Sequence, residues 1–143
     1  MLPNPHVSFR AELPDDEEFP HPPGYGIARY LHLALEEAGL RPKRIENWRD
    51  GGWSIDCPIN GKPLYLFFAH ARDEERPWLL CCTSDLGLFA KFFRRENHSD
   101  QKRQLALAVH HALTADERFS DIRWYTGPHF GFAKDDPWTR EPT

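Results

Sequence analysis

The dipeptide Asn60-Gly61, flanked on both sides by alternating apolar residues, constrains this chain more than any other feature. A two-residue hairpin turn needs positive φ at both central positions, which this pair tolerates well. Placing the turn there sets the register: Ile59 faces Lys62, Cys57 faces Leu64, Ile55 faces Leu66 and Trp53 faces Phe68. Side chains alternate along a strand, so these pairs share one strongly apolar face. The other face pairs Asp56 with Tyr65 and Ser54 with Phe67, a mixed surface. A one-residue slip would turn the apolar set to solvent, so the register is firmly specified. On this assignment Ile55→Asp unfolds the domain, whereas Ser54→Asp costs little.

Around the hairpin the periodicity changes. From Tyr25 to Ala38, the residues Ile27, Tyr30, Leu31, Ala34, Leu35 and Ala38 recur every three or four positions, the stripe of an amphipathic helix. Gly39 suits a left-handed cap, Leu40 folds back, and Pro42 blocks continuation. Ile45–Arg49 reads as a strand entering the turn Asp50-Gly51-Gly52, with a bulge if both Ile45 and Trp48 are to face inward. Trp78–Thr83, apolar on both faces, reads as a well-buried strand. Leu86, Phe89, Ala90 and Phe93 suit a short helix or packed loop. Leu105, Ala108, Val109, Ala112 and Leu113 mark a second long helix from Ser99 to Leu113, and Ile122–Tyr125 is a candidate fifth strand. The expected fold is therefore α+β: an N-terminal helix, an antiparallel β-meander of about four strands, a second helix and that fifth strand. Both helices are expected on the face of Trp53, Ile55, Leu66 and Phe68.

Six of the 13 prolines fall in the first 23 residues, around the acidic run Asp15-Asp16-Glu17-Glu18. Residues 1–23 accordingly read as an extended arm, dispensable for folding, so that deleting residues 1–20 leaves the melting temperature nearly unchanged. Residues 24–132 then form a single domain, and 133–143 a polar tail.

A net charge of −4 argues against a dedicated nucleic-acid binder, and Lys91, Arg94, Arg95, Lys102 and Arg103, diluted by Glu96 and Asp100, read as a solvated connection. No apolar run approaches the ~20 residues of a membrane span. Met1–Arg10 lacks a secretory pattern, and Cys57, Cys81 and Cys82 lack framework spacing, so a cytoplasmic location is expected. The cysteines read as small hydrophobes rather than zinc ligands. His110 and His111, about 100° apart on a helix, do not share an ion, and His32 with Glu36 reads as a simple one-turn pair. No metal and no cofactor is expected. Gly24-Tyr25-Gly26 lacks the lysine and preceding strand of a phosphate loop.

Two groups of residues stand out as candidate sites. Asp50 and Asp56 flank a glycine turn beside Trp48, Trp53 and Tyr65, the makings of a small pocket for a ligand or substrate. The simpler reading is a turn aspartate, a core tryptophan and an exposed strand aspartate. Late in the chain Trp124, Tyr125, His129, Phe130, Phe132 and Trp138 form an aromatic segment. It either covers Tyr65 and Phe67 or presents partner anchors. Phe130 and Phe132 are expected to pack, and Trp138 to be exposed.

The order helix, meander, helix loosely resembles small bacterial secretion chaperones and toxin-immunity proteins, a likeness that no motif supports. Acidity, size, the excess of aromatic residues and the lack of a catalytic constellation lead to the expectation of a small acidic protein-binding module: an inhibitor, immunity or chaperone-like component with a protein partner. A homodimer is compatible with that reading. The alternative is a small-molecule binder or enzyme with its cleft near Asp50 and Asp56. RNA binding through Lys91–Arg103 with Phe92 and Phe93 is a third.

Overall fold

A computed structural model describes residues 5–14, 22–48, 50–71, 75–84, 99–125 and 137–142. Its elements in chain order are β1 (His6–Ala11), α1 (Tyr25–Glu37), β2 (Ile45–Trp48), β3 (Gly52–Asp56), β4 (Tyr65–His70), β5 (Trp78–Thr83), α2 (Ser99–Thr114) and β6 (Phe119–Tyr125). The six strands make one antiparallel sheet in the order β2-β3-β4-β5-β1-β6.

The hairpin around Asn60-Gly61 has the register that its turn dictates. Asn60 and Gly61 take φ of 52° and 75°, Trp53 faces Phe68, and Ile55 faces Leu66. Cys57 N–H donates to the Leu64 carbonyl at 2.8 Å, and Ile59 bridges to Lys62. Helix α1 ends where Gly39, at φ 85°, lets Leu40 N–H reach back to the Leu35 carbonyl at 3.0 Å.

The expectation that the chain begins with a helix is overturned: the first element is a strand. Residues 6–11, inside the segment read as an extended arm, lie between β5 and β6 in the sheet. The reason is local. Pro5 and Pro14 bracket His6–Ala11 without entering it, and within that window Val7 and Phe9 alternate with His6, Ser8 and Arg10. Val7 pairs with both Leu80 and Trp124, and Val7 and Phe9 have no exposed surface. Pro5, lacking an N–H, still supplies its carbonyl to Cys82 N–H at 3.0 Å. Among the described residues the sheet thus has six strands rather than four or five, and α1 carries the chain from β1 across to the far edge at β2.

A second correction concerns Trp48. Ile45 pairs with Ile55 and Trp48 with Gly52, with no bulge between them, so the two side chains take opposite faces. Trp48 packs edge-on against Phe67, at 6.1 Å between ring centres.

One apolar cluster joins the sheet to both helices. Val7, Phe9, Ile55, Leu66, Phe68 and Leu80 meet Leu31 and Leu35 of α1 and Leu105, Val109 and Leu113 of α2, all fully buried. Helix α1 lies on β2 and β3, α2 on β5 and β6, and the helices touch. Tyr30 of α1 links them by donating to the Ala112 carbonyl of α2 at 2.7 Å.

Candidate functional site

The residues of the first candidate pocket divide between the two faces of the sheet, Trp48, Asp56 and Tyr65 on one and Trp53 on the other. Trp53 belongs to the core, 5% exposed, with its indole N–H donating to the Pro22 carbonyl at 3.0 Å and its ring 5.0 Å from that of Tyr25. Asp56 and Tyr65 are cross-strand partners on the opposite face of the sheet. The Asp56 carboxylate lies 3.7 Å from Lys43 Nζ. Asp50, at φ 58°, closes its turn with Asn47: its carboxylate accepts from the Asn47 amide at 3.0 Å, and its backbone N–H donates to the Asn47 side-chain oxygen at 2.8 Å. Both aspartates are thus engaged locally, and Trp48 sits over Phe67.

The second candidate group divides. Phe130 and Phe132 lie outside the described residues. Trp138 is 43% exposed, and the Arg123 guanidinium lies over its ring at 4.6 Å from the centre. Next to it, Thr139 and Trp124 exchange two backbone hydrogen bonds of 2.9 Å, which tie the tail to the outer edge of β6.

Beside Trp138 the sheet assembles a polar hub that local sequence patterns do not reveal. Asp121 of β6, at φ 51°, accepts from Arg123 Nε at 3.1 Å and from an Arg76 terminal nitrogen at 3.3 Å, with Arg10 Nε 3.8 Å away. Arg76 Nε also donates to Ser8 Oγ at 3.3 Å, and Arg10 reaches Glu75 at 2.9 Å. Among the described residues, three guanidiniums thus face two carboxylates. Burial pushes the Asp121 carboxyl up, but the hydrogen bonds and charges of Arg76 and Arg123 outweigh it and hold it below the usual 3.8. Arg10 comes from β1, Arg76 from the approach to β5, and Asp121 and Arg123 from β6. Only the placement of β1 between β5 and β6 brings them together, so no spacing along the chain announced the hub.

Burial disfavours the thiolate form of all three cysteines. All three are free, and burial raises Cys57 to about 11, Cys81 to about 12 and Cys82 well above its usual range. Of the basic stretch expected to be solvated, Lys102 is 8% exposed; Lys91, Arg94 and Arg95 lie outside the described residues. His32 lies 2.8 Å from Glu36 and 2.7 Å from the Lys43 carbonyl oxygen. Among the described residues no cluster of three or more histidines, cysteines and acids is placed to hold a metal ion, and no helix is long and apolar enough to cross a membrane.

His110 carries a consequence for pH. The buried indole of Trp124 donates to its Nδ1 at 3.1 Å, a bond that needs that nitrogen unprotonated. Burial lowers the His110 pKa from 6.5, the nearby Glu141 raises it, and His111 lowers it further; the net direction is down. The unfolded chain therefore takes up this proton at a higher pH than the folded one. Its contribution to stability is complete above about 6.5 and is lost as pH falls from there through the lowered folded value. In His110→Gln, whose amide oxygen can accept the same indole N–H without titrating, the fall in melting temperature from pH 7.5 to about 5 is expected to be smaller than in the parent protein. Equal falls in both proteins would show that His110 does not contribute.

No family model, no curated protein and no solved structure matches the chain. What fold and site define is a small α+β domain, with a six-stranded antiparallel sheet backed by two helices and an arginine-rich polar hub at one sheet edge.

Proposed function

We propose that this domain is a non-enzymatic protein-binding module, of inhibitor, immunity or chaperone-like type, and that Trp138 and Arg123 anchor its partner. The observation that carries the reading is the exposed indole stacked by a guanidinium at 4.6 Å, beside a hub in which the described residues supply three guanidiniums and two carboxylates. Tryptophan and arginine dominate the small set of residues that supply most of the affinity at protein interfaces. The arrangement is also preorganised. Asp121 holds Arg123 from one side, and the Trp124–Thr139 backbone pair holds the tail, so little side-chain freedom remains to be lost on association.

The test is affinity purification from the native host, using the parent protein and Trp138→Ala in parallel. The substitution removes a half-exposed ring, so the melting temperature is expected to stay within a few degrees, while the protein captured by the parent is lost or reduced about tenfold or more. A captured partner that binds the variant equally well would remove Trp138 from the interface.

A further inference from the structure

We infer that the opposite sheet edge, residues 42–48 with β2 at their end, is a self-association surface that pairs antiparallel with the same segment of a second copy about a two-fold axis at Ile45. Among the described residues β2 has a strand on one side only, and an edge strand exposes unpaired N–H and C=O groups ready to extend a ladder. Its neighbourhood is not smoothly polar. A groove of about 370 Å³ runs between α1 and β2, lined by Tyr25, Arg29, His32, Leu33, Arg44 and Ile45. Leu33 is 60% exposed; it and Trp138 are the exposed large apolar residues among those described.

Charge selects the occupant. Arg44 and Glu46 are two residues apart and share one face, with Arg44 Nε 3.0 Å from Glu46 Oε1. In an antiparallel pair centred on Ile45, Arg44 of each copy stands opposite Glu46 of the other, and Ile45 meets Ile45. Moving the axis to Arg44 or to Glu46 would set like charge against like. An axis at Ile45 therefore makes the edge complementary to itself, as an isologous two-fold contact requires. An axis perpendicular to the sheet keeps both α1 helices on one face, with the two Leu33-bearing grooves side by side. The surface lies at the far edge from Trp138, so it is independent of the partner site proposed above.

Sedimentation equilibrium of the full chain over a wide concentration range is expected to show a monomer–dimer equilibrium. Arg44→Glu and Glu46→Arg are each expected to weaken it by on the order of tenfold or more, since two-fold symmetry applies each reversal twice. The double swap Arg44→Glu/Glu46→Arg restores both cross-strand pairs and is expected to recover the dimer. Both side chains are well exposed, at 86% and 55%, so the variants should melt like the parent. Leu33→Glu, on a different element, is expected to weaken the dimer as well. A monomer at every concentration, single variants that dimerise as tightly as the parent, or a double swap no better than the singles would each overturn the proposal.

Discussion

Deleting residues 1–11 is expected to abolish the cooperative thermal transition of this domain, the reverse of what the proline count of its first 23 residues suggests. Strand β1 separates β5 from β6, so its loss unpairs both neighbours and, among the described residues, leaves β6 with no strand of the sheet beside it. Val7 and Phe9 are fully buried against Leu80, Trp124 and Phe119. Burying each such side chain contributes about 1.5–3 kcal/mol, and whole domains are stable by only ~5–15 kcal/mol. Two such losses, with ladder hydrogen bonds worth about 0.5–1.5 kcal/mol each on both sides of the strand, amount to most or all of that stability. The deletion also removes Arg10 and Ser8 from the Asp121 hub, so Arg76 and Asp121 lose partners at the same time. Circular dichroism during a thermal melt reads the outcome. A sharp transition near that of the full chain would mean that β1 adds nothing to the sheet.

What could be read from the chain, and what could not, follows the range of the interactions. The β3–β4 register was legible because a two-residue turn at Asn60-Gly61 couples it to local chemistry, and α1 was legible because its stripe and its Gly39 cap are local too. Strand β1 was not, because six alternating residues between prolines carry less signal than the prolines around them, and their partners lie about 70 and 115 residues away. The candidate pocket's residues are divided for a related reason. Asp50, Trp53 and Asp56 are near in sequence, but strand alternation sends Trp53 to one face and Asp56 to the other. Sequence proximity within a strand is a poor guide to convergence. The hub shows the converse, since its arginines and aspartate share a sheet edge and no motif.

The two sheet edges differ in a way that bears on both functional proposals. At β6 the backbone of Trp124 is already paired with Thr139, while β2 pairs with nothing beyond β3 among the described residues. A partner reaching β6 thus meets side chains first, Trp138 and Arg123, which favours recognition by chemistry. At β2 it meets open backbone, which favours strand addition, and the Arg44–Glu46 pair limits which strand fits.

Substitutions on the two faces of β3 are expected to be ranked by burial rather than divided by face. Ile55→Asp is expected to unfold the domain. Ile55 has no exposed surface and stands between Ile45 and Leu66, so a carboxylate there would have no partner. The cost of an uncompensated buried charge is several kcal/mol, and the loss of the packed isoleucine side chain adds to it. The neighbouring Ser54→Asp looked harmless from the alternation alone, since Ser54 belongs to the mixed face. In the structure Ser54 is only 4% exposed, opposite Phe67 on one side and Glu46 on the other. A carboxylate at that position would be desolvated and would face the like charge of Glu46, which destabilises a cross-strand pair. Ser54→Asp is therefore expected to lower stability by several kcal/mol as well, less than Ile55→Asp by the packed isoleucine side chain that the latter also loses. Denaturant titration of the two variants with Ser54→Ala as control gives the ranking. Adding Glu46→Gln should recover part of the Ser54→Asp loss if charge repulsion contributes. A Ser54→Asp protein as stable as the Ser54→Ala control would show that this face of β3 is open to water, and equal unfolding by Ile55→Asp and Ser54→Asp would remove the distinction between the two faces altogether.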